Sequence, residues 1–587
     1  MSAAQIRTGN LRLKTFFKVY GVLLALSVLR IALSIAVSDW FPSESVLDDG
    51  LMMEYASLRR HFLSPDRNSL VKYMAYPIFL NVVRYSHLPY PFFTGLLAVV
   101  SAFSFRAMLL SYTGNQKTSA IGFTAALFLP CAFELWCGTR IYRNAILAPC
   151  TVIVLSLLFL LVRKLLKNGT AARKCIAPAL LLGIAFSFTY YVKEDGIWLL
   201  AVLIFTDVAM MAAAVWKTVR KREKAIAKAV VSIAVPLAVF GLVTGGYLAV
   251  NHRYFGVYEL NTRTSGEAGR FVQTVYKVAS DERSDAVWAP NDAIKRVFQA
   301  SESLAARPEI YERLKENPWS DGDMERNPLK GDYLSWAIRY AVDTPGTEWN
   351  EAEVSAFFRQ VNEELSDAFR SGELTKDASR IQLLPSAAGK TWGEIADLLK
   401  LTGETFRGAV LLAGYTPGVS EAVYEEAFDA YTETAKLFTN LRTLNGNPEG
   451  KAIRDAGKAI ANVIFWICRI GNAVAFCLAA ASVIFSAVRL FAFRKDEKRR
   501  MRSGDALYTA FAVFFLLLGA AYGFAISWFS SFLFTAGLNR TILNFYAVSL
   551  PAILLFFYGF GGALFMRHLK AMTGGFLLKK AERSGKE

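Results

Sequence analysis

Residues 47–62 read LDDGLMMEYASLRRHF, and the fold is decided by what surrounds them. Shortly before them runs 16–37, FFKVYGVLLALSVLRIALSIAV, apolar and long enough to cross a bilayer. Within 47–62 two adjacent acids, Asp48 and Asp49, precede an amphipathic run. Met52, Met53, Tyr55, Ala56 and Leu58 recur at mixed three- and four-residue spacing, and Arg59 and Arg60 close it. This pattern predicts a helix lying along the membrane interface from about Gly50. A carboxylate pair beside a membrane face is costly to keep without a use. One use is a general base meeting a lipid-borne substrate at the bilayer surface. The plain alternative is that Asp48 or Asp49 caps the helix.

The rest of the chain repeats the apolar theme. Of 587 residues, 54% are hydrophobic, and the mean hydropathy is +0.30, too apolar for an ordinary soluble enzyme. The net charge of +17 does not point to nucleic acid, because Lys and Arg crowd into short segments between apolar spans. Cys131, Cys137, Cys150, Cys175, Cys468 and Cys477 lie in or beside apolar spans with no CxxC pair, so neither a zinc site nor a disulfide framework is read. With four histidines, a multi-histidine metal centre is not expected. No small-residue cleavage site follows the first apolar run, which reads as an uncleaved signal anchor.

The hydropathy predicts an all-α polytopic membrane protein of about ten transmembrane helices at roughly 20 apolar residues per crossing. They fall near 16–37, 92–112, 119–136, 145–162, 176–192, 196–216, 229–250, 461–493, 506–529 and 542–565. Between the seventh and eighth the chain turns polar, over 251–458, and reads as a helical soluble domain. Two stretches carry its helical pattern, 351–369 and 421–441. The division is thus 1–250, a transmembrane catalytic module with an acidic outer loop at 39–91; 251–458, the insert; and 459–587, a second transmembrane module with a basic tail.

Charge sets the sidedness. Basic clusters such as Arg163-Lys164, Lys217 to Lys224, Arg494 to Arg502 and Arg567 to Lys580 all fall on the side of the N-terminal Arg7, Arg12, Lys14 and Lys18. Both termini are therefore expected in the cytoplasm of a bacterium, with the insert outside its inner membrane. The insert holds more acids than bases, so no nucleic-acid partner is expected.

Several outer-side turns hold polar residues that a bilayer does not require. They are Asp48-Asp49, LVKYMAYPIFLNVV (70–83), GTRIYRNAIL (138–147), YVKEDGIW (191–198) and LNRTIL (538–543). Lys72, Arg140, Arg143, Lys193 and Arg540 suit a lipid phosphate held while a base works beside it. The alternative for each arginine is snorkelling to lipid headgroups, and for Lys193-Glu194-Asp195 a local ion-pair turn.

In order and sidedness these elements resemble a GT-C-type glycosyltransferase, the group containing protein O-mannosyltransferases and the lipid A aminoarabinose transferase. Asp48-Asp49-Gly50 with Ala56 is similar to that group's acidic pair after the first span. Lys72 with Pro77 is similar to its lysine–proline element. Arg140, Arg143 and Asn144 are similar to its R-x-x-R-x-D-like run, with Asn144 where an acid is usual. Val192 to Gly196 is similar to its T-K-G turn, and Arg540 to Leu543 with Pro551 to its late R-Y-L-x-P element. The likeness covers about the first 260 residues and, weakly, the last 50; it does not cover the insert.

The resemblance implies a sugar donor linked through phosphate to a polyprenol in the membrane. Asp48 would be the general base toward a hydroxyl acceptor (glycan, lipid or protein), with inversion, and Asp49 the helix cap. Lys193, Arg143, Arg140, Arg540 and Lys72 would hold the donor phosphate. Glu194, Asp195, Asn144 and His252 would be accessory. No cofactor is required, and a divalent metal on Glu194 or Asp195 with His252 is possible but not expected. Two other readings share the lipid donor: a polysaccharide polymerase or ligase, and a transporter or flippase. The last predicts charges within the spans, of which Arg106 and Arg469 stand out in the sequence.

Overall fold

The computed structural model describes residues 3–37, 48–134, 136–221, 225–346, 348–416, 448–492 and 503–584. Helix is the only extended regular structure among them; strand-like pairing is limited to the isolated bridges Val278–Lys376 and Ile381–Lys390. In chain order the first module holds α1 (Ala3–Val37), α2 (Asp48–Ala56), α3 (Leu58–Leu63), α4 (Ala75–Ser86), α5 (Tyr90–Thr113), α6 (Gln116–Leu127), α7 (Asn144–Leu166), α8 (Arg173–Tyr190), α9 (Ile197–Lys221) and α10 (Ile226–Phe255). The insert holds α11 (Gly266–Val275), α12 (Asn291–Ala300), α13 (Glu302–Ala305), α14 (Pro308–Lys315), α15 (Leu334–Val342), α16 (Glu351–Ser371) and α17 (Trp392–Leu411). The last module holds α18 (Pro448–Ala492), α19 (Ser503–Ser530), α20 (Arg540–Tyr546) and α21 (Leu550–Ser584).

Eight of these helices carry windows long and apolar enough to cross a membrane, in α1, α5, α7, α9, α10, α18, α19 and α21. The chain is a multi-pass membrane protein. Two expected crossings differ from the pattern. The stretch 119–136 is helical only to Leu127, because Pro130 follows the break at Phe128 and opens a short 3-10 turn over Pro130–Phe133. Its 12 residues reach about 18 Å, short of a bilayer core of roughly 30 Å. α8 has 18 residues and packs against α7 and α10. At the far end the expected 542–565 helix is broken after Tyr546 and restarts at Leu550, so α20 is a separate short helix.

Local signals account for the other boundaries. Asn115, Asn350 and Asn539 each cap a helix by accepting from two following amides. Thr391 and Glu394 form a reciprocal capping box at the start of α17. Ser57 breaks the interfacial run into α2 and α3, where one helix was expected. The insert's expected helix at 351–369 is α16; the one at 421–441 lies outside the described residues, as does the basic cluster at 494–502.

The apolar core of the bundle is continuous through α5, α7, α19 and α21, with Phe159 in ring contact with Phe511, Phe515, Phe556 and Phe560. The insert has its own core around Phe271, Trp288, Ile338 and Phe358. That core continues onto the bundle through Trp528 and Phe532 of the last module. Two polar seams complete the docking. On one side the side chain of Asn261 donates to the Val71 carbonyl at 2.6 Å, and the amide of Thr262 to that of Leu70 at 2.8 Å. On the other, Lys390 reaches Asp285 and Ser531, and Trp528 Nε1 donates to the Ala388 carbonyl at 3.1 Å. The insert is therefore fixed to the same end of the bundle that carries the turns at 138–144 and 191–196.

Candidate functional site

The turn 191–196 is shaped by its neighbours. Tyr191 ends α8, Lys193 is extended, and Glu194–Gly196 form one 3-10 turn leading into α9. Position 196 must be glycine, since a Cβ there would sit 2.7 Å from the Tyr190 carbonyl oxygen. The turn before α7 is similarly tight: a Cβ at Gly138 would meet the backbone of Ala132 at 2.4 Å. Glu134 holds that turn from beneath, its Oε2 accepting the amides of Trp136 and Cys137 at 2.8 Å each.

These two turns bring Arg143 and Glu194 together. Arg143 Nη1 donates to Glu194 Oε2 at 2.6 Å, and both side chains are almost wholly enclosed. Arg143 Nε also donates to the Tyr142 hydroxyl at 3.0 Å. The Tyr142 ring stacks on Phe545 of α20 at 5.4 Å. Around this stack stand further cations. The Arg140 guanidinium lies 5.0 Å from the Tyr142 ring, 5.7 Å from Phe545 and 5.2 Å from Trp136. Lys193 Nζ lies 5.7 Å from Phe545 and 5.7 Å from Tyr546. Cation–π contacts of this kind hold guanidinium and ammonium groups where water is scarce.

The segment between α3 and α4 and the insert close the other side. Lys72 Nζ and the Arg263 guanidinium both lie over the Trp336 ring of α15, at 5.2 and 4.8 Å. Arg263 Nη1 donates to Asp332 at 2.8 Å and to Ser335 at 3.0 Å. The Glu194 carboxylate feels the charges of Arg143, Lys72 and Arg263 together. It is the common counter-ion of cations from three separate parts of the chain.

Within this arrangement Lys193 is incompletely satisfied. Its ammonium is buried and has no hydrogen-bond partner among the described residues; Asp195 is 3.7 Å away, beyond hydrogen-bond reach. Both Asp195 oxygens likewise lack a hydrogen bond. An enclosed ammonium with three unused donors can take an anionic oxygen.

The sequence-predicted residues divide. Lys72, Arg140, Arg143, Lys193, Glu194 and Asp195 belong to this region. Asn144 joins it from below, donating to the Phe545 carbonyl at 2.8 Å, while its Oδ1 is buried without a partner. Arg540 pairs instead with Glu404 of α17, Nε to Oε2 at 2.7 Å. His252 is exposed and stacked on Tyr258 at 4.0 Å. Among the described residues no group of three or more His, Cys, Asp or Glu side chains is assembled. The backbone of Asp48 and Asp49 opens α2; their side chains lie outside the described part of the structure.

Sequence reasoning missed Arg263, Trp336, Tyr142 and Phe545. Arg263 and Trp336 sit in the insert, where no motif singles them out, and what marks them is that Lys72 and Arg263 share the Trp336 ring. Comparison of the chain with protein-family models and with curated proteins finds no match.

Proposed function

We propose that the chain is a GT-C-like membrane glycosyltransferase. It moves a sugar from a polyprenyl-phosphate donor to a hydroxyl acceptor on the outer face of the bacterial inner membrane. What supports this reading is Lys193: a buried ammonium without a hydrogen-bond partner among the described residues, flanked by Arg140 and Arg143 at the end of the bundle that carries the insert. In this topology α6 with the turn at 130–133, and α8, complete ten crossings. Both termini are cytoplasmic and the insert is extracytoplasmic.

The chemistry follows from the charges. Asp48 takes the proton from the acceptor hydroxyl. The acceptor oxygen bonds to the anomeric carbon as the bond from that carbon to the phosphate oxygen breaks, and the configuration inverts. The electron pair leaves with polyprenyl phosphate. Lys193 donates to the oxygen on which charge develops, and Arg143 and Arg140 supply the surrounding positive field. Arg143 shares itself between Glu194 and the phosphate, and Lys72 balances Glu194 from the other side. The aromatic rings of Tyr142, Phe545 and Tyr546 exclude water around these cations, which strengthens each interaction.

The test is incubation of the purified full-length protein in liposomes with a panel of polyprenyl-phosphate sugars and hydroxyl acceptors. Release of polyprenyl phosphate with one donor, together with a glycosylated acceptor, is expected. Intact donor throughout the panel contradicts the reading.

A further inference from the structure

Far below that site, α9 carries a carboxyl group with no assigned use. Asp207 is 7% exposed, and neither of its oxygens has a hydrogen-bond partner among the described residues. It stands about 15 Å along α9 from Ile197, near the middle of a hydrocarbon core of roughly 30 Å. We propose that Asp207 is a proton-binding site within the bilayer, held as a neutral carboxylic acid level with Ser156 of α7.

The helix register carries the placement. α7 and α9 run in the same direction: Arg143 meets Glu194 at one end, and Lys217 meets the end of α7 at the other. Lys217 Nζ donates to the Leu166 carbonyl at 2.8 Å and to that of Leu165 at 3.3 Å. Carried up the parallel pair with the same offset, this register sets Ser156 level with Asp207. The Ser156 hydroxyl is itself buried and without a partner among the described residues. Two orphan polar groups therefore share one depth on adjacent helices.

No described positive charge is placed to balance an ionised Asp207. On its own helix Lys217 is about 15 Å away and bound to the Leu165 and Leu166 carbonyls and to Asn168, and Arg220 and Lys221 lie further along still. On α7 the charged groups are Arg163 and Lys164, near the far end, where they donate to the carbonyls of Ser111 and Lys174. On α8 they are Arg173 and Lys174, in its first turn, and on α10 Lys228, which donates to the Lys167 carbonyl. At the other end of α10 are His252 and Arg253. The turn 194–196 holds Glu194 and Asp195, paired with Arg143 and Lys193. On α19, which reaches α9 through the Phe205–Phe514 stack, Asp505 is bound to Arg567. The uncharged titratable groups are Cys150 on α7, Cys175 and Tyr190 on α8, Tyr247 and Tyr254 on α10, and Tyr508 and Tyr522 on α19; none of them supplies a cation. A carboxylate isolated in this way is very unfavourable, whereas the protonated form removes the charge. The site is independent of the transfer reaction proposed above.

The test is infrared difference spectroscopy on the full-length protein in lipid at neutral pH, comparing wild type with Asp207→Asn. The expected result is loss of a carboxylic-acid carbonyl band in the variant. Loss of a carboxylate band instead overturns the proposal. Chemistry provides a second reading. An apolar carbodiimide adds a protonated carboxyl across its N=C=N group: the acid proton passes to nitrogen, the carboxyl oxygen bonds to the central carbon, and acyl migration gives a stable N-acylurea. Asp207 is expected to carry this adduct, and a water-soluble carbodiimide is expected to leave it unmodified. Labelling by both reagents, or protection by sodium ions, overturns the assignment of an enclosed proton site.

Discussion

Arg339 and Lys193 are both buried cations with a carboxylate beside them near the junction of insert and bundle, yet they are engaged to different degrees. Arg339 Nε donates to the Arg67 carbonyl at 2.7 Å, Nη1 to Thr262 at 2.7 Å, and Nη2 to Glu351. Every nitrogen of its fork is engaged, and it ties the insert to the segment between α3 and α4. Lys193 has a carboxylate nearby and no hydrogen bond among the described residues. A guanidinium engaged at every nitrogen specifies a dock. A pair left open has capacity for a ligand. Burial alone does not separate the two; the count of unused donors does.

The largest effect is expected at the fully engaged Arg339. Arg339→Met leaves Glu351 enclosed without its cation, which costs about 3–5 kcal/mol, whereas replacing both partners by apolar residues restores much of it. Thermal unfolding and protease sensitivity of the insert measure this. Wild-type stability in the single variant would show that the two centres do not differ as argued.

The open pair and its base should respond in activity and not in stability. Asp48→Asn is expected to lower turnover by about 100-fold or more, and Asp49→Asn far less, because Asn caps nearly as well as Asp. The reverse order moves the base to Asp49. Lys193→Gln should lower transfer by about 100-fold with an unchanged melting temperature, since in the proposed reaction Lys193 donates to the leaving phosphate. A large fall in melting temperature would make Lys193 a structural residue like Arg339.

A smaller effect separates the junction from bulk solvent. Burial lowers the pKa of His61 to about 4 from the usual 6.5, in a cage formed by Tyr55, Phe62 and Phe255. The unfolded chain binds the proton more readily, so stability is full above about pH 6.5 and falls as pH drops toward 4. The loss by pH 4 is at most about 3 kcal/mol. His61→Phe should flatten this part of the pH–stability curve; an unchanged slope would place its origin elsewhere. The smallest effect is expected at Arg540, whose pair with Glu404 is partly exposed: Arg540→Ala should cost about 1 kcal/mol or less. Its loss of transfer should be less than that of Lys193→Gln.

The same contrast explains what could be read in advance. Apolar spans announce themselves because each is a local run, so most of the bundle helices were visible in hydropathy alone. The break after α6 depends on Pro130, which an apolar window averages away. The 191–196 turn was readable as ionic, and Lys193 does face Asp195. That Glu194 turns instead to Arg143 depends on packing between turns 51 positions apart. Lys72 over Trp336 and Thr262 on Leu70 join still more distant segments, with no periodicity linking them. Asp207 was overlooked because one acid barely lowers the hydropathy of a long span, although its cost in that span is high.

The central claim is that the Lys193 centre receives a lipid phosphate. The direct measurement is thermal stabilisation of the purified protein by polyprenyl phosphate, against polyprenol of the same chain length, in wild type and Lys193→Gln. The account predicts that the phosphate raises the wild-type melting temperature, that the alcohol does not, and that the rise is lost in the variant. Equal stabilisation by both lipids, or an undiminished rise in Lys193→Gln, would contradict it.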